Sequence, residues 1–330
     1  MNTLAPLIEA FFLQRLSQQR QASPNTIASY RDTFRLLLRF IENKLGKKPS
    51  DLLLADLRAP TLSSFLDSLE SERKNCPRSR NARLAVIRSF FHYAATEVPE
   101  HSALIQRALA IPQKRFDRKT VGFLTEEEFG SLLAAPDTSS WIGRRDHALL
   151  VLAEQTGFRV SEIIGLTRAD LHLERPGACV RCMGKGRKER LTPLRKETVE
   201  VLRAWLREPG QLTDPLFPSQ RGGPMSRDAV EKRLLKYGSK AAAGSCPSLA
   251  KKRVSPHILR HTTAVRMLEA GIDTAAIALW LGHESIETTQ VYLAADLAAK
   301  ERALAKTAPS LAASLRYRPP DRLLAFLNAL

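Results

Sequence analysis

Apolar side chains recur at three- and four-residue steps through roughly the first 115 residues, and this spacing predicts amphipathic helices packed on a shared core. Four such stripes are visible, over residues 4–16, 27–41, 62–69 and 84–94. Ser23 and Pro24 precede the second stripe, where serine can cap a helix and proline suits its first turn. We therefore expect a compact N-terminal domain of four or five helices.

The chain is strongly basic, with a formal net charge of +17 and a pI of about 10.1. Such a balance usually indicates a polyanionic partner, for which nucleic acid is the first candidate, and a solvated basic surface is the alternative. The same two interpretations are open for the arginines of the fourth stripe, Arg78, Arg80, Arg83 and Arg88. Apolar residues make up 44% of the chain, which excludes a mainly disordered protein.

Residues 111–120 form a polar, basic segment whose second residue is proline, a composition typical of a linker. Thr125 and Glu128 then form a capping-box pattern for the next helix. Further on, the β-prone runs 178–183 and 190–194 flank a glycine-rich basic turn, which predicts a hairpin. The second domain is therefore expected to be mostly helical with one small β-hairpin, giving a mainly α fold overall.

These patterns divide the chain into four expected parts: a helical domain over 1–113, a linker over 114–123, a mixed, mostly helical domain over 124–300 and a tail over 301–330. In the tail, Pro319 and Pro320 stop any preceding helix and Asp321 can cap the next one. The spacing of Leu and Phe over 323–330 then predicts a short amphipathic helix.

Four cysteines in a chain of this length do not form a disulfide framework and indicate a reducing compartment: Cys76, Cys179, Cys182 and Cys246. Cys179 and Cys182 have metal-ligand spacing, but no second Cys or His pair follows, so strand residues are the better interpretation. The N-terminus lacks a signal-peptide pattern, and no run approaches ~20 uninterrupted apolar residues. We expect a cytoplasmic, nucleoid-associated protein.

Six residues have side chains suited to chemistry on a phosphodiester: Arg159, Lys185, His257, Arg260, His283 and Tyr292. Guanidinium groups bind two phosphate oxygens at once, imidazole and ammonium groups move protons, and a phenol can attack phosphorus. His257 and Arg260 are three residues apart after a Ser-Pro helix start, which places both on one helix face. Each of the six also has an ordinary interpretation, such as a surface histidine or a core tyrosine.

Two neighbours of this set leave alternatives open. Glu162, three residues after Arg159, could orient that arginine or form a surface ion pair with it. Lys185 is expected at the hairpin tip, where the flanking glycines would let the backbone approach DNA, and Lys188 competes for the same role.

In this order and with these local contexts, the set resembles the active site of the tyrosine recombinases, the phage-integrase family. The resemblance covers the second domain closely and extends to the N-terminal part, which is similar to that family's core-binding domain. It implies a C-shaped clamp on double-stranded DNA, a tetramer on two duplexes, made of one recombinase or of two related ones, and no cofactor or metal. It also implies docking of a C-terminal segment on a neighbouring protomer, for which 323–330 is the candidate, although packing in cis on its own domain is the preferred interpretation of this segment.

The roles implied by the resemblance are specific. Tyr292 would attack a backbone phosphate to leave a 3′-phosphotyrosyl link, and Arg159 and Arg260 would hold the non-bridging oxygens. Lys185 would protonate the leaving 5′-oxygen, His257 would act as general base, and His283 would hydrogen-bond the phosphate.

Several functions remain open at this point. A type IB topoisomerase uses a similar residue set, and a DNA-binding accessory protein could keep the fold without cutting. Among recombinases, the basic chain and the extended tail favour integration or transposition of a mobile element, with Xer-type resolution of chromosome or plasmid dimers as the alternative. A generic basic helical protein, in which the six residues coincide by chance, is the last alternative.

Overall fold

The computed structural model describes residues 3–117, 122–174, 177–184, 188–208, 214–283 and 289. These residues form mostly helices and one three-stranded antiparallel sheet. The prediction of a mainly α fold with a small sheet is confirmed. The chain divides into two compact units, Met1–Arg118 and Lys119–Leu330, each with its own buried core.

Over residues 3–117, the first unit contains five α-helices: α1 (Leu4–Ala10), α2 (Pro24–Leu45), α3 (Ala59–Ser71), α4 (Pro77–Glu97) and α5 (Ser102–Leu109). A π-helical stretch, Phe11–Gln19, continues α1. The core of the first unit is rich in aromatic rings. The ring centroids of Phe11, Phe34 and Phe90 lie 5.3–6.2 Å from one another. The predicted start of α2 is confirmed, because the Ser23 side chain accepts a hydrogen bond from the backbone N–H of Thr26.

Three of the four α4 arginines donate to acceptors in the chain itself, and the interpretation as a solvated basic face is wrong for the buried Arg80. Arg80 is buried and donates to the carbonyl of Pro112 at 3.0 Å, and Arg88 donates to the carbonyl of Ile111 at 2.5 Å. Arg83 donates to Thr33 Oγ1 at 2.8 Å. These bonds satisfy backbone and hydroxyl oxygens next to α4, which a pattern of charge along one helix cannot reveal.

The second unit contains seven α-helices within its described residues: α6 (Glu126–Ala134), α7 (Trp141–Thr156), α8 (Val160–Ile164), α9 (Lys196–Leu206), α10 (Arg227–Ala243), α11 (Pro256–Glu269) and α12 (Thr274–Leu281). The capping box at Thr125 and Glu128 is present at the start of α6. The Ser255 side chain caps α11, and Pro256 is its first residue, as the sequence predicts.

The sheet is formed by β1 (Leu171–His172), β2 (Cys179–Met183) and β3 (Glu189–Pro193), in that order. Strands β2 and β3 pair with the register Cys182 opposite Arg190, which confirms the predicted hairpin. The sequence did not predict β1, because two residues carry no detectable periodicity. Across the part of the chain that the structure describes, no helix is long and apolar enough to cross a membrane.

Candidate active site

Arg159 lies at the junction between two helices. Gly157 ends α7 in a left-handed conformation (φ +59°), and Arg159 occupies the N-cap position of α8. The Glu162 carboxylate, one turn into α8, accepts hydrogen bonds from the Arg159 backbone N–H at 2.8 Å and from its Nη1 at 3.0 Å. The side chain of Arg159 remains 29% exposed. Glu162 therefore fixes the direction of a guanidinium group that can still reach a ligand.

Glu162 is a buried carboxylate shared by two arginines, with a side chain only 5% exposed. Arg190 of β3 donates to it from Nη1 at 3.2 Å and from Nη2 at 2.7 Å. Burial opposes the charge on Glu162, but the hydrogen bonds from Arg190 and Arg159 outweigh burial and lower the pKa of this carboxyl. The interpretation of Glu162 as a surface ion pair is therefore wrong.

Arg260 connects two loops of the site. It lies in the first turns of α11, is 4% exposed, and donates from Nη1 to the carbonyl of Gly157 at 2.8 Å. Its Nη2 donates to the carbonyl of Leu281 at 2.7 Å. Arg260 is thus held against both the segment that leads to Arg159 and the end of α12.

The end of α12 places His283 beside the two arginines. Gly282 terminates α12 with φ +65°, and its carbonyl accepts hydrogen bonds of 3.3 Å from both terminal nitrogens of Arg159. His283 Nδ1 lies 2.8 Å from Thr289 Oγ1. Burial, followed by the charges of Arg260 and Arg159, lowers the pKa of His283 to about 4. This histidine is neutral at physiological pH and keeps one ring N–H as a donor.

His257 lies in the first turn of α11, three residues before Arg260, and its side chain is exposed. Partial desolvation, then the charges of Arg227 and Arg260, lower its pKa. Its ring stacks on His261 of the next turn, with centroids 6.3 Å apart. A neutral, accessible imidazole at this position can accept a proton.

The structure therefore brings Arg159, Arg260 and His283 together at the C-terminal end of α12, with His257 on the same helix as Arg260. Lys185 and Tyr292 lie outside the described residues, as does the amphipathic segment 323–330. At the described base of the hairpin turn, Gly184 donates its N–H to the carbonyl of Lys188 at 2.8 Å. The side chain of Lys188 is exposed.

Arg190 is the residue of this site that sequence reasoning missed. Alternation along β3 would have placed the apolar Leu191 inward, but the structure places Arg190 on the inward side, opposite the buried Cys182 of β2. An arginine on the inward side of an alternating strand requires a buried partner of opposite charge.

The two cysteines with metal-ligand spacing are residues of β2, and burial raises the pKa of Cys182 to about 11. Within the described ranges, no three His, Cys, Asp or Glu side chains are grouped as metal ligands.

Comparison with known proteins agrees with this arrangement. The phage integrase family model matches residues 122–298, and the phage integrase N-terminal SAM-like domain matches residues 10–98. A Sinorhizobium fredii protein named as an integrase/recombinase, y4rC, is 60% identical over 330 residues, covering 99% of this chain and 98% of that protein. Tyrosine recombinase XerC of Myxococcus xanthus is 32% identical over 304 residues, covering 88% of this chain and 94% of that protein.

Among solved structures, XerH site-specific recombinase bound to a palindromic difH substrate has a similar fold, with a TM-score of 0.69 at 22% identity. The match covers 87% of this chain and 81% of that one. The chain belongs to the phage integrase family of tyrosine recombinases, whose members cleave and rejoin DNA.

Proposed function

We propose that the chain is a site-specific DNA recombinase that acts through a 3′-phosphotyrosyl intermediate and serves the integration or transposition of a mobile element. The observation that carries this proposal is the convergence of Arg159, Arg260 and His283 at the end of α12, nine residues before Tyr292 (292 − 283). The relative named as an integrase/recombinase supports the mobile-element role, since the similarity extends over nearly the whole of both chains.

Arg159 and Arg260 bind the non-bridging oxygens of the scissile phosphate and stabilise the charge that develops on them in the transition state. His283 donates a hydrogen bond to the same group, for which its lowered pKa is suitable, because the neutral ring does not require a counter-ion. Removal of one such donor typically lowers the cleavage rate by about 10²–10³-fold.

Tyr292 supplies the phenolic oxygen that attacks phosphorus, and the bond between phosphorus and the 5′-oxygen breaks. His257 takes the proton from the phenol, and Lys185 gives a proton to the leaving 5′-oxygen. One phosphate ester replaces another, so the free energy of the link is retained for religation. In the second half of the reaction a 5′-hydroxyl of the partner strand attacks the phosphotyrosine and releases Tyr292.

We further propose that residues 1–113 form a DNA-binding domain, that 114–123 form a linker, and that 124–300 form the catalytic domain. The two domains would close on double-stranded DNA as a C-shaped clamp, and the basic net charge of +17 supports such a partner. A tetramer on two duplexes, of this chain alone or with a related recombinase, would perform strand exchange. The segment 323–330 of the tail 301–330 would dock on its own protomer or on the next one.

Xer-type dimer resolution is the second candidate, favoured by the likeness to XerC over 88% of the chain. Two plasmid substrates distinguish the two roles. The first carries two copies of the joined ends of the mobile element that encodes the protein. The second carries two copies of the host's chromosome-dimer resolution site. Recombination of the first plasmid alone, lost in Tyr292→Phe, supports the mobile-element role. Recombination of the second alone overturns that role in favour of dimer resolution.

A further inference from the structure

Arg190 is a largely buried charged residue next to the site, and it has no role in the proposed reaction. Its side chain is 14% exposed, and both terminal nitrogens donate to Glu162. The guanidinium carbon lies 4.6 Å from the centroid of the Phe158 ring, so Arg190 is also held by a cation–π contact. The guanidinium group of Arg190 therefore faces the carboxylate of Glu162 and not a phosphate.

Two glycines make room for the Arg190 guanidinium. A Cβ atom added to Gly282 would lie 2.7 Å from Arg190 Nη1, and one added to Gly184 would lie 2.9 Å from the same atom. Gly282 precedes His283, and Gly184 precedes Lys185. Arg190 therefore contacts three segments of the site, the α8 start through Glu162, the α12 end and the base of the hairpin turn.

The electrostatic consequence concerns Arg159. A buried Glu162 paired with Arg159 alone would neutralise that arginine and draw it toward the protein interior. With Arg190 present, one carboxylate is shared by two guanidinium groups, and the cluster retains a net charge of about +1. Glu162 can then orient Arg159 by hydrogen bonds while Arg159 keeps positive charge for a phosphate.

We propose, on the basis of the proposed function, that Arg190 is a positioning residue that keeps Arg159 directed at the scissile phosphate by sharing the Glu162 carboxylate. Arg190 itself touches no substrate atom. Its removal would leave Arg159 as the main partner of Glu162 and withdraw its charge from the phosphate.

The test compares Arg190→Gln with Arg181→Gln in single-turnover cleavage of a duplex that carries the scissile phosphate. Arg181 is the matched control, because it lies on β2, is 44% exposed and pairs with Asp170. Displacement of a phosphate-binding group by about 1 Å can lower a rate by ~10²-fold, and we expect a loss of about this size for Arg190→Gln alone.

A second substrate separates positioning from general damage. Replacing the scissile phosphate by a methylphosphonate removes the non-bridging negative charge that Arg159 would stabilise. On this neutral substrate, Arg190→Gln is expected to be within several-fold of wild type. An equal loss on both substrates would overturn the proposal, since it would place the defect outside phosphate charge stabilisation.

Glu162→Gln provides the third comparison, because it removes the buried charge that Arg190→Gln leaves without a full partner. If Arg190 acts through Glu162, the double variant cleaves at about the rate of Glu162→Gln, so the two losses are not additive. Multiplicative losses would overturn the proposal. If Arg190→Gln proves unfolded by its thermal melt, the double variant is compared with Glu162→Gln alone, and a further loss of cleavage in the double variant would overturn the proposal.

The failure of this inference is distinguishable from failure of the proposed function. If wild type forms no covalent adduct that depends on Tyr292, the proposed function fails before Arg190 is tested. If wild type forms the adduct and Arg190→Gln cleaves like Arg181→Gln, only the positioning role is overturned.

Discussion

Arg260 donates a hydrogen bond of 2.8 Å to the backbone carbonyl of Gly157, two residues before Arg159. Its other terminal nitrogen donates to Leu281 at 2.7 Å, two residues before His283. The buried side chain of Arg260 thus links the loop before Arg159 to the loop before His283. Arg159, by contrast, keeps 29% of its side chain exposed.

This difference between the two arginines predicts different outcomes for the same substitution. Arg159→Lys and Arg260→Lys should each lower single-turnover cleavage by about 10²–10³-fold, because lysine lacks the planar fork that binds two oxygens. Arg260→Lys should also lower the free energy of unfolding, by about 1–3 kcal/mol, since buried carbonyls lose their donors. Urea unfolding checks this, and equal stability of the two variants would contradict the structural role of Arg260.

Gly282→Ala should damage the site more than a matched glycine substitution. Both Gly282 and Gly271 have positive φ, +65° and +79°, so alanine costs about 1–2 kcal/mol of folding free energy at either position. Only at Gly282 would the new Cβ meet the Arg190 guanidinium, since nothing lies within 4 Å at Gly271. Gly282→Ala should therefore lose cleavage beyond its loss of stability. Equal cleavage rates of the two variants would count against the packing described.

Ser255→Ala tests the helix that carries His257 and Arg260. The Ser255 side chain caps α11, and Ser226 caps α10 in the same way. Loss of either cap should lower the free energy of unfolding by about 1 kcal/mol. Cleavage should fall only in Ser255→Ala, because the first turn of α11 holds the site residues. A similar fall in Ser226→Ala would show that cleavage follows overall stability instead.

The half-buried His261 predicts an acid-sensitive fold. Burial, then the charges of His257 and Arg260, lower the pKa of His261 from 6.5 to about 4. Between these values the unfolded chain binds more protons than the folded one. The free energy of unfolding should therefore fall as pH decreases from about 6.5 to about 4, and be fully retained above that window. His261→Gln should show a shallower fall in denaturation experiments across this window. An unchanged slope would contradict the lowered pKa.

Local patterns predicted several elements of the second unit, including the start of the helix that carries His257 and Arg260. Ser255 with Pro256 and Thr125 with Glu128 each specify a helix start through a few neighbouring residues, and both starts are present. The β-prone runs also pair as predicted, as β2 and β3. The start of α2 was predictable for the same reason.

Long-range pairing was not predictable from local patterns. Glu162 and Arg190 are 28 residues apart and meet only because β3 packs beside α8. Arg80 likewise finds its acceptor 32 residues away, at Pro112. A charge pattern along one helix or strand shows which side chains are basic, but their partners depend on tertiary packing.

The most direct measurement is covalent trapping on a DNA duplex that contains the ends of the mobile element that encodes the protein. The duplex carries a nick beside the suspected cleavage position. Wild type, Tyr292→Phe and the control Tyr317→Phe are each incubated with this duplex and resolved on a denaturing gel. The account predicts a protein–DNA adduct in wild type and Tyr317→Phe that is absent in Tyr292→Phe. An adduct that persists in Tyr292→Phe would contradict the assignment of Tyr292 as the nucleophile.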